Sequence, residues 1–120
     1  MFPPSLLAKI LVPGSLKNNA NGFEFKLKNI IDSATLVGMG PLVVDDSNFT
    51  PDVLMLKVGQ TEIRGDLLTR SNSLPIRVSN EALITITGAA LQPGPHKLTI
   101  QLLTREAGRF QFSVTEPLSQ

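Results

Sequence analysis

Glu81-Ala82-Leu83-Ile84-Thr85-Ile86-Thr87, then Leu91-Gln92-Pro93-Gly94-Pro95, then His96-Lys97-Leu98-Thr99-Ile100-Gln101-Leu102, then Arg109-Phe110-Gln111-Phe112-Ser113-Val114-Thr115 run through the last third of the chain. Apolar side chains recur there at every second position. Successive side chains of an extended backbone point to opposite faces, so Ile84 and Ile86, then Leu98, Ile100 and Leu102, then Phe110, Phe112 and Val114 each form one apolar face with polar neighbours behind it. Half-buried strands joined by turns have this pattern.

The same alternation extends toward the N-terminus. Residues 11–17 run into Asn18-Asn19-Ala20-Asn21-Gly22, and Phe23-Glu24-Phe25-Lys26-Leu27-Lys28 alternates strictly on the way out. Asn-Gly supplies the positive φ of a tight hairpin turn. Residues 34–37 and 42–44 are β-rich and interrupted by Gly38-Met39-Gly40-Pro41, which predicts a kinked strand or two short ones. They end at Asp45-Asp46-Ser47-Asn48, a cluster typical of turns. Residues 53–58 and 61–64 flank Gly59-Gln60, a two-residue hairpin connection, and residues 66–73 read as a loop around Leu67-Leu68. Pro13 and Pro75 each remove a backbone donor and so mark edge strands. Only residues 5–11 could be helical, with Ser5 as cap and Leu6, Leu7, Ile10 and Leu11 on one face, and an extended reading fits them equally well.

Turn signals at this spacing predict an all-β, antiparallel two-sheet β-sandwich, immunoglobulin-like in general architecture, with roughly seven to nine strands and little helix. At 120 residues the chain forms one domain, residues 1–120, with residues 1–11 as a possible N-terminal arm. Hydrophobic residues at 42% against 18% charged ones exclude a disordered chain, and a net charge of +1 with signs interspersed leaves no stripe for a phosphate backbone. Nucleic acid is not an expected partner. Lys9 and Pro13-Gly14 interrupt the first apolar run, so neither a signal peptide nor a membrane span is expected and the cytoplasm is the expected compartment.

Few residues carry chemistry. The lone His96 stands between Pro95 and Lys97 with no acid near it in sequence, and there is no cysteine, so a zinc site would need carboxylates. A turn-closing or strand-end role is expected for it. Asp45 and Asp46 are ordinary turn acids. An enzyme would need Asp45, Asp46 and His96 to converge, which the sequence alone leaves open. Gly38-Met39-Gly40-Pro41 lacks the spacing of a phosphate loop. No Trp or Tyr is present, and Phe23, Phe25, Phe110 and Phe112 belong to the core, which leaves Phe2 and Phe49 as possible exposed contacts. A solitary sugar-binding module is disfavoured on that ground.

Gly14-Ser15-Leu16-Lys17-Asn18, the stretch from Asn21-Gly22 through Phe23-Glu24-Phe25-Lys26-Leu27-Lys28-Asn29, and the later Leu91-Gln92-Pro93-Gly94-Pro95-His96 resemble small uncharacterised prokaryotic β-sandwich proteins. They also faintly resemble the β subunit of C-glycoside deglycosidases. That resemblance implies a non-catalytic sandwich that assembles with a metal-dependent TIM-barrel subunit and contributes packing and support. The chain departs from it in having Leu27-Lys28-Asn29-Ile30-Ile31 after the Phe-x-Phe strand, and no tyrosine.

The sequence therefore reads as a non-enzymatic interaction, accessory or oligomerisation module. No catalytic, cofactor-binding or metal-binding residue is assigned, and no cofactor is expected. A homo-oligomer or a protein partner is expected, held in part by Phe2, Leu6, Leu7, Ile10 and Leu11. The alternatives are a small carboxylate- or metal-dependent enzyme, an accessory subunit of a sugar-processing enzyme, and a carrier with a pocket for a small apolar ligand between the sheets.

Overall fold

The computed structural model describes residues 4–119. It is an all-β sandwich of two antiparallel sheets, and its only α-helix among the described residues is α1 (Pro4–Ala8). One sheet orders β1 (Lys17–Asn19), β2 (Gly22–Lys28), β9 (Glu81–Thr87), β6 (Leu54–Val58) and β7 (Thr61–Arg64) side by side. The other is built on β10 (Pro95–Thr104), which pairs with β11 (Gly108–Pro117) along one edge through the whole register from Pro95↔Pro117 to Thr104↔Gly108. Its other edge is taken in succession by β4 (Leu42–Val44) and β3 (Ala34–Met39), and these carry β5 (Ser47–Phe49) and β8 (Leu74–Ile76) outside them.

β3 and β4 are thus one path along β10, broken at Gly40-Pro41. Pro41 has no N–H to give the ladder. Gly40 donates its own N–H to Gln101 O, at 3.0 Å, and a Cβ there would lie 2.8 Å from the Gln101 Cβ. A side chain would push the strand off β10.

The period-two faces form the core. Phe23 and Phe25 of β2, Leu54 and Leu56 of β6, and Ile84 and Ile86 of β9 are almost wholly removed from water, and they oppose Leu42, Val44, Leu98, Ile100 and Phe112 of the second sheet. Burying each large apolar side chain contributes about 1.5–3 kcal/mol, so these residues dominate the stability of the fold.

Several expectations are corrected. Eleven strands form among the described residues rather than seven to nine, because three-residue pieces such as β1 and β5 lie in stretches that read as turns. Ser47 and Asn48, read as turn, belong to β5 and pair with Val44 and Val43. Residues 11–16 do not form a strand, and β1 begins only at Lys17. Leu11 makes a single bridge to Leu27, and Pro13 and Gly14 turn the chain, with Gly14 at φ 79. Pro75 does lie in the edge strand β8.

The N-terminal segment is helical for five residues and then turns at Lys9 and Ile10 before the bridge at Leu11. Leu7 and Leu11 are buried in the chain's own core, so they are not available to a neighbouring molecule. Phe2 lies outside the described residues. Leu67 is exposed but Leu68 is buried, and the Phe49 ring stands 5.3 Å from that of Phe23 rather than free.

Gly22 opens β2 instead of sitting in the turn, which is formed by Ala20 and Asn21 between paired Asn19 and Gly22. A Cβ on Gly22 would stand 2.1 Å from the Ile86 carbonyl oxygen, whereas one on Gly88 would meet nothing. Gly22→Ala should therefore lower the unfolding free energy in a denaturant titration by about 1–3 kcal/mol, the range for overpacking. Gly88→Ala should stay within about 0.5 kcal/mol of the wild type.

Candidate functional site

Every second residue of β10 faces inward, and the row His96, Leu98, Ile100, Leu102, Thr104 begins and ends on a polar side chain. His96 and Thr104 are the buried polar residues of the described chain. Each marks one end of the sandwich.

At the first end, two loops meet on His96. Its Nδ1 lies 2.7 Å from Asp45 Oδ2 and its Nε2 lies 2.6 Å from the Gln92 carbonyl oxygen. A carbonyl and an ionised carboxylate can only accept, so the two contacts are satisfied together when both ring nitrogens donate, that is, in the imidazolium form. Asp45 is held in turn by the Lys97 N–H on Oδ1, at 3.0 Å, while its own N–H donates to the Lys97 carbonyl. To make these contacts Asp45 adopts φ 54, a left-handed conformation that Asp tolerates better than most residues.

Asp45 and His96 therefore converge, as the enzyme alternative requires. Asp46, its neighbour in the β4–β5 turn, is exposed, and no hydrogen bond among the described residues joins it to them. The bonding of the pair is closed. An imidazole that donates from both nitrogens has no lone pair for a metal or for a substrate proton. Among the described residues no group of three or more His, Asp or Glu is placed to hold a cation.

The Gln92 carbonyl first, and then the Asp45 carboxylate, hold the imidazole pKa above its ordinary 6.5. The Lys97 N–H first, and then His96, hold the Asp45 carboxyl below its ordinary 3.8. A raised histidine pKa stabilises the fold fully below the unfolded value and loses that effect as pH rises through the folded one. A lowered carboxyl pKa stabilises above the unfolded value and loses the effect as pH falls through the folded one. The pair thus contributes most between about pH 4 and 6.5.

At the other end, Thr104 Oγ1 donates to the Gly108 carbonyl, at 3.0 Å, and accepts the Ala107 N–H, at 3.1 Å. This closes the β10–β11 turn. Beside it, Glu106 accepts both the N–H and the hydroxyl of Thr35, each at 2.8 Å, contacts that hold its carboxyl below the usual range. Between the sheets at this end lies a cavity of about 300 Å³, bounded by Leu27, Ala82 and Ile84 on one side and Leu36, Phe110 and Phe112 on the other.

The sequence pointed to His96 and Asp45 as residue types but not to their meeting, since 51 positions separate them. Nothing in the sequence singles out the Gln92 carbonyl or Thr104, and Glu106 is one scattered carboxylate among ten acids. A backbone oxygen has no side-chain signature, and a threonine ending an apolar row is ordinary strand composition.

The chain matches, over residues 6–119, the family described as Hydroxymethylglutaryl-CoA reductase, N-terminal domain. No curated protein matches it. Among solved structures it is similar to a family 123 glycoside hydrolase from Clostridium perfringens that acts on glycolipid glycans, at 12% identity and a TM-score of 0.38. That likeness covers 80% of this chain and 20% of the hydrolase, so the chain spans about a fifth of the length of the solved protein it matches.

Two substitutions should expose the histidine clamp in thermal or chemical unfolding. His96→Ala removes two buried hydrogen bonds and should cost about 1–3 kcal/mol at pH 5.5. Asp45→Asn should destabilise at pH 5.5 and, without the carboxylate, show a weaker fall in stability between pH 6 and 8.5 than the wild type. An identical fall in both proteins would place the titration elsewhere.

Proposed function

The chain belongs to the hydroxymethylglutaryl-CoA reductase N-terminal domain family, and on that premise we propose that it is a non-catalytic module that supports an enzyme rather than performing the reaction itself. The observation that supports this reading is the closed bonding of His96. The one side chain suited to proton transfer near neutrality donates to Asp45 and to the Gln92 carbonyl and so fastens loops instead of facing a substrate. Acids elsewhere in the fold have similar work. Glu116 accepts the Gly14 N–H at 2.7 Å, Glu106 holds Thr35, and Asp66 pairs with Arg64 at 2.5 Å.

An accessory role also agrees with the resemblance to the deglycosidase β subunit, which implies packing and support. The partner on this reading is an enzyme domain or subunit made with the chain. The protein surface has edge strands, β7 and β8 among them, along which such a partner can dock. A cytoplasmic setting belongs to the same proposal.

The test is co-expression with the enzyme encoded in the same gene or beside it. The chain should raise that enzyme's soluble yield or activity, and His96→Ala should do so equally at a temperature where the variant remains folded. The chain alone should not consume a nicotinamide cofactor with hydroxymethylglutaryl-CoA. Turnover by the isolated chain that His96→Ala abolishes would refute the non-catalytic reading.

A further inference from the structure

We propose that the cavity at the Thr104 end of the sandwich binds one uncharged, apolar small molecule. Protein interiors are close-packed, and voids much larger than a water molecule are few. This one measures about 300 Å³ and is enclosed by the inward faces of both sheets, at the lower end of the size range of small-molecule sites, roughly 300–1,000 Å³. The space results from residue choice. Ala82 occupies the first inward position of β9, where Ile84 and Ile86 follow, and Ala34 and Ala107 border the opening on the other side.

The polar groups around the cavity define what can enter. The Asn29 amide donates to the carbonyls of Asp32 and Ile76, at 2.7 and 2.9 Å, and its oxygen accepts the Ile31 N–H. Thr104 and Glu106 are engaged as described above, and among the described residues no buried side-chain nitrogen or oxygen lacks a partner. A ligand bringing its own donors, acceptors or charge inside would lose hydration and find nothing to replace it. A hydrocarbon-like body loses nothing.

The loops next to the cavity expose apolar side chains as well. Ile30 and Val78, 38% and 48% exposed, are two of the three exposed large apolar side chains of the described residues. They sit on the adjoining loops of residues 29–33 and 77–80, which are joined by hydrogen bonds from Ser79 N to Asn29 O and from Asn29 N to Asn80 O. The first of these loops supplies Asn29, Ile31 and Asp32 to the wall of the cavity. Lys28, Asp32 and Glu106 at the border carry charges of both signs, so the rim does not select an ionic head group. The inference is independent of the accessory role proposed above, since a supporting module can carry a ligand or lack one.

The probe is N-phenyl-1-naphthylamine, an uncharged arene whose fluorescence rises on transfer from water. Titration into the purified chain should saturate at one probe per chain. Decan-1-ol should displace it, and decanoate should do so at least ten-fold less well. Ala82→Leu and, separately, Ala107→Leu should each weaken probe binding at least ten-fold without lowering the thermal midpoint, while Thr115→Ala on the outer face of β11 should leave it unchanged. Should Ala82→Leu fail to fold, Ala107→Leu at the exposed border decides. Four results would overturn the proposal: no saturable binding, binding unaffected by the filling variants, decanoate competing as well as decanol, or dimerisation that excludes the probe and so assigns the cavity to a second copy.

Discussion

The ladder between β10 and β11 is the constraint on which the rest of the sandwich depends. It is ten residues long and unbroken, and the opposite edge of β10 receives β4 and β3 in turn. No other strand contacts so many partners. Because β10 fixes the positions of three strands at once, its inward row sets which residues can face the other sheet. A one-residue slip would turn Leu98, Ile100 and Leu102 to solvent and expose Phe110 and Phe112 with them. The apolar period therefore specifies the register as well as the core.

The ends of that row require a different chemistry. An inward position at the last rung of a strand lies beside loops, whose backbone groups have no ladder to satisfy them. His96 meets this need by donating to Gln92 and Asp45, and Thr104 by bonding Gly108 and Ala107. With no cysteine in the chain, loops cannot be secured by disulfides. Carboxylates do part of this work: Glu116 reaches Gly14 across 102 positions, Glu106 reaches Thr35 across 71, and Asp45 reaches Lys97 across 52. Each acid brings a distant loop to a strand end by accepting a backbone N–H, and such charge-assisted bonds are stronger than neutral ones.

This division explains what the sequence disclosed. The long strands β2, β9, β10 and β11 are legible because each exposes one face and buries the other, and the two-residue connection Gly59-Gln60 is legible because φ 60 at Gly59 suits glycine. Of the three-residue strands, β4 showed in its run of β-formers and β8 in Pro75, whereas β1 and β5 lie in Asn- and Ser-rich stretches that read as turns. Gly22 misled for a related reason. A glycine after asparagine signals a turn, whereas here it admits the Ile86 carbonyl at a distance no side chain could allow. The N-terminal segment fits a helical and an extended reading equally well in sequence, and its apolar residues Leu7 and Leu11 found the chain's own core.

The candidate site was legible only as a set of residue types. Asp45 stands in the β4–β5 turn and His96 near the start of β10, and what joins them is the antiparallel pairing of β4 with β10, where Val44 lies opposite Leu98 and so brings the residue after Val44 beside Lys97 and His96. That pairing follows from the apolar register, so the polar cluster is a consequence of the core. The cavity at the other end follows from the same register by subtraction. Ala82 takes an inward place that Ile84 and Ile86 fill farther along β9, and the opposing Leu36 and Phe110 do not cross the gap it leaves. One inward-facing row thus ends in a closed ionic clamp on one side and beside an open apolar space on the other, which separates the part of the molecule built for holding its loops from the part with room for another molecule.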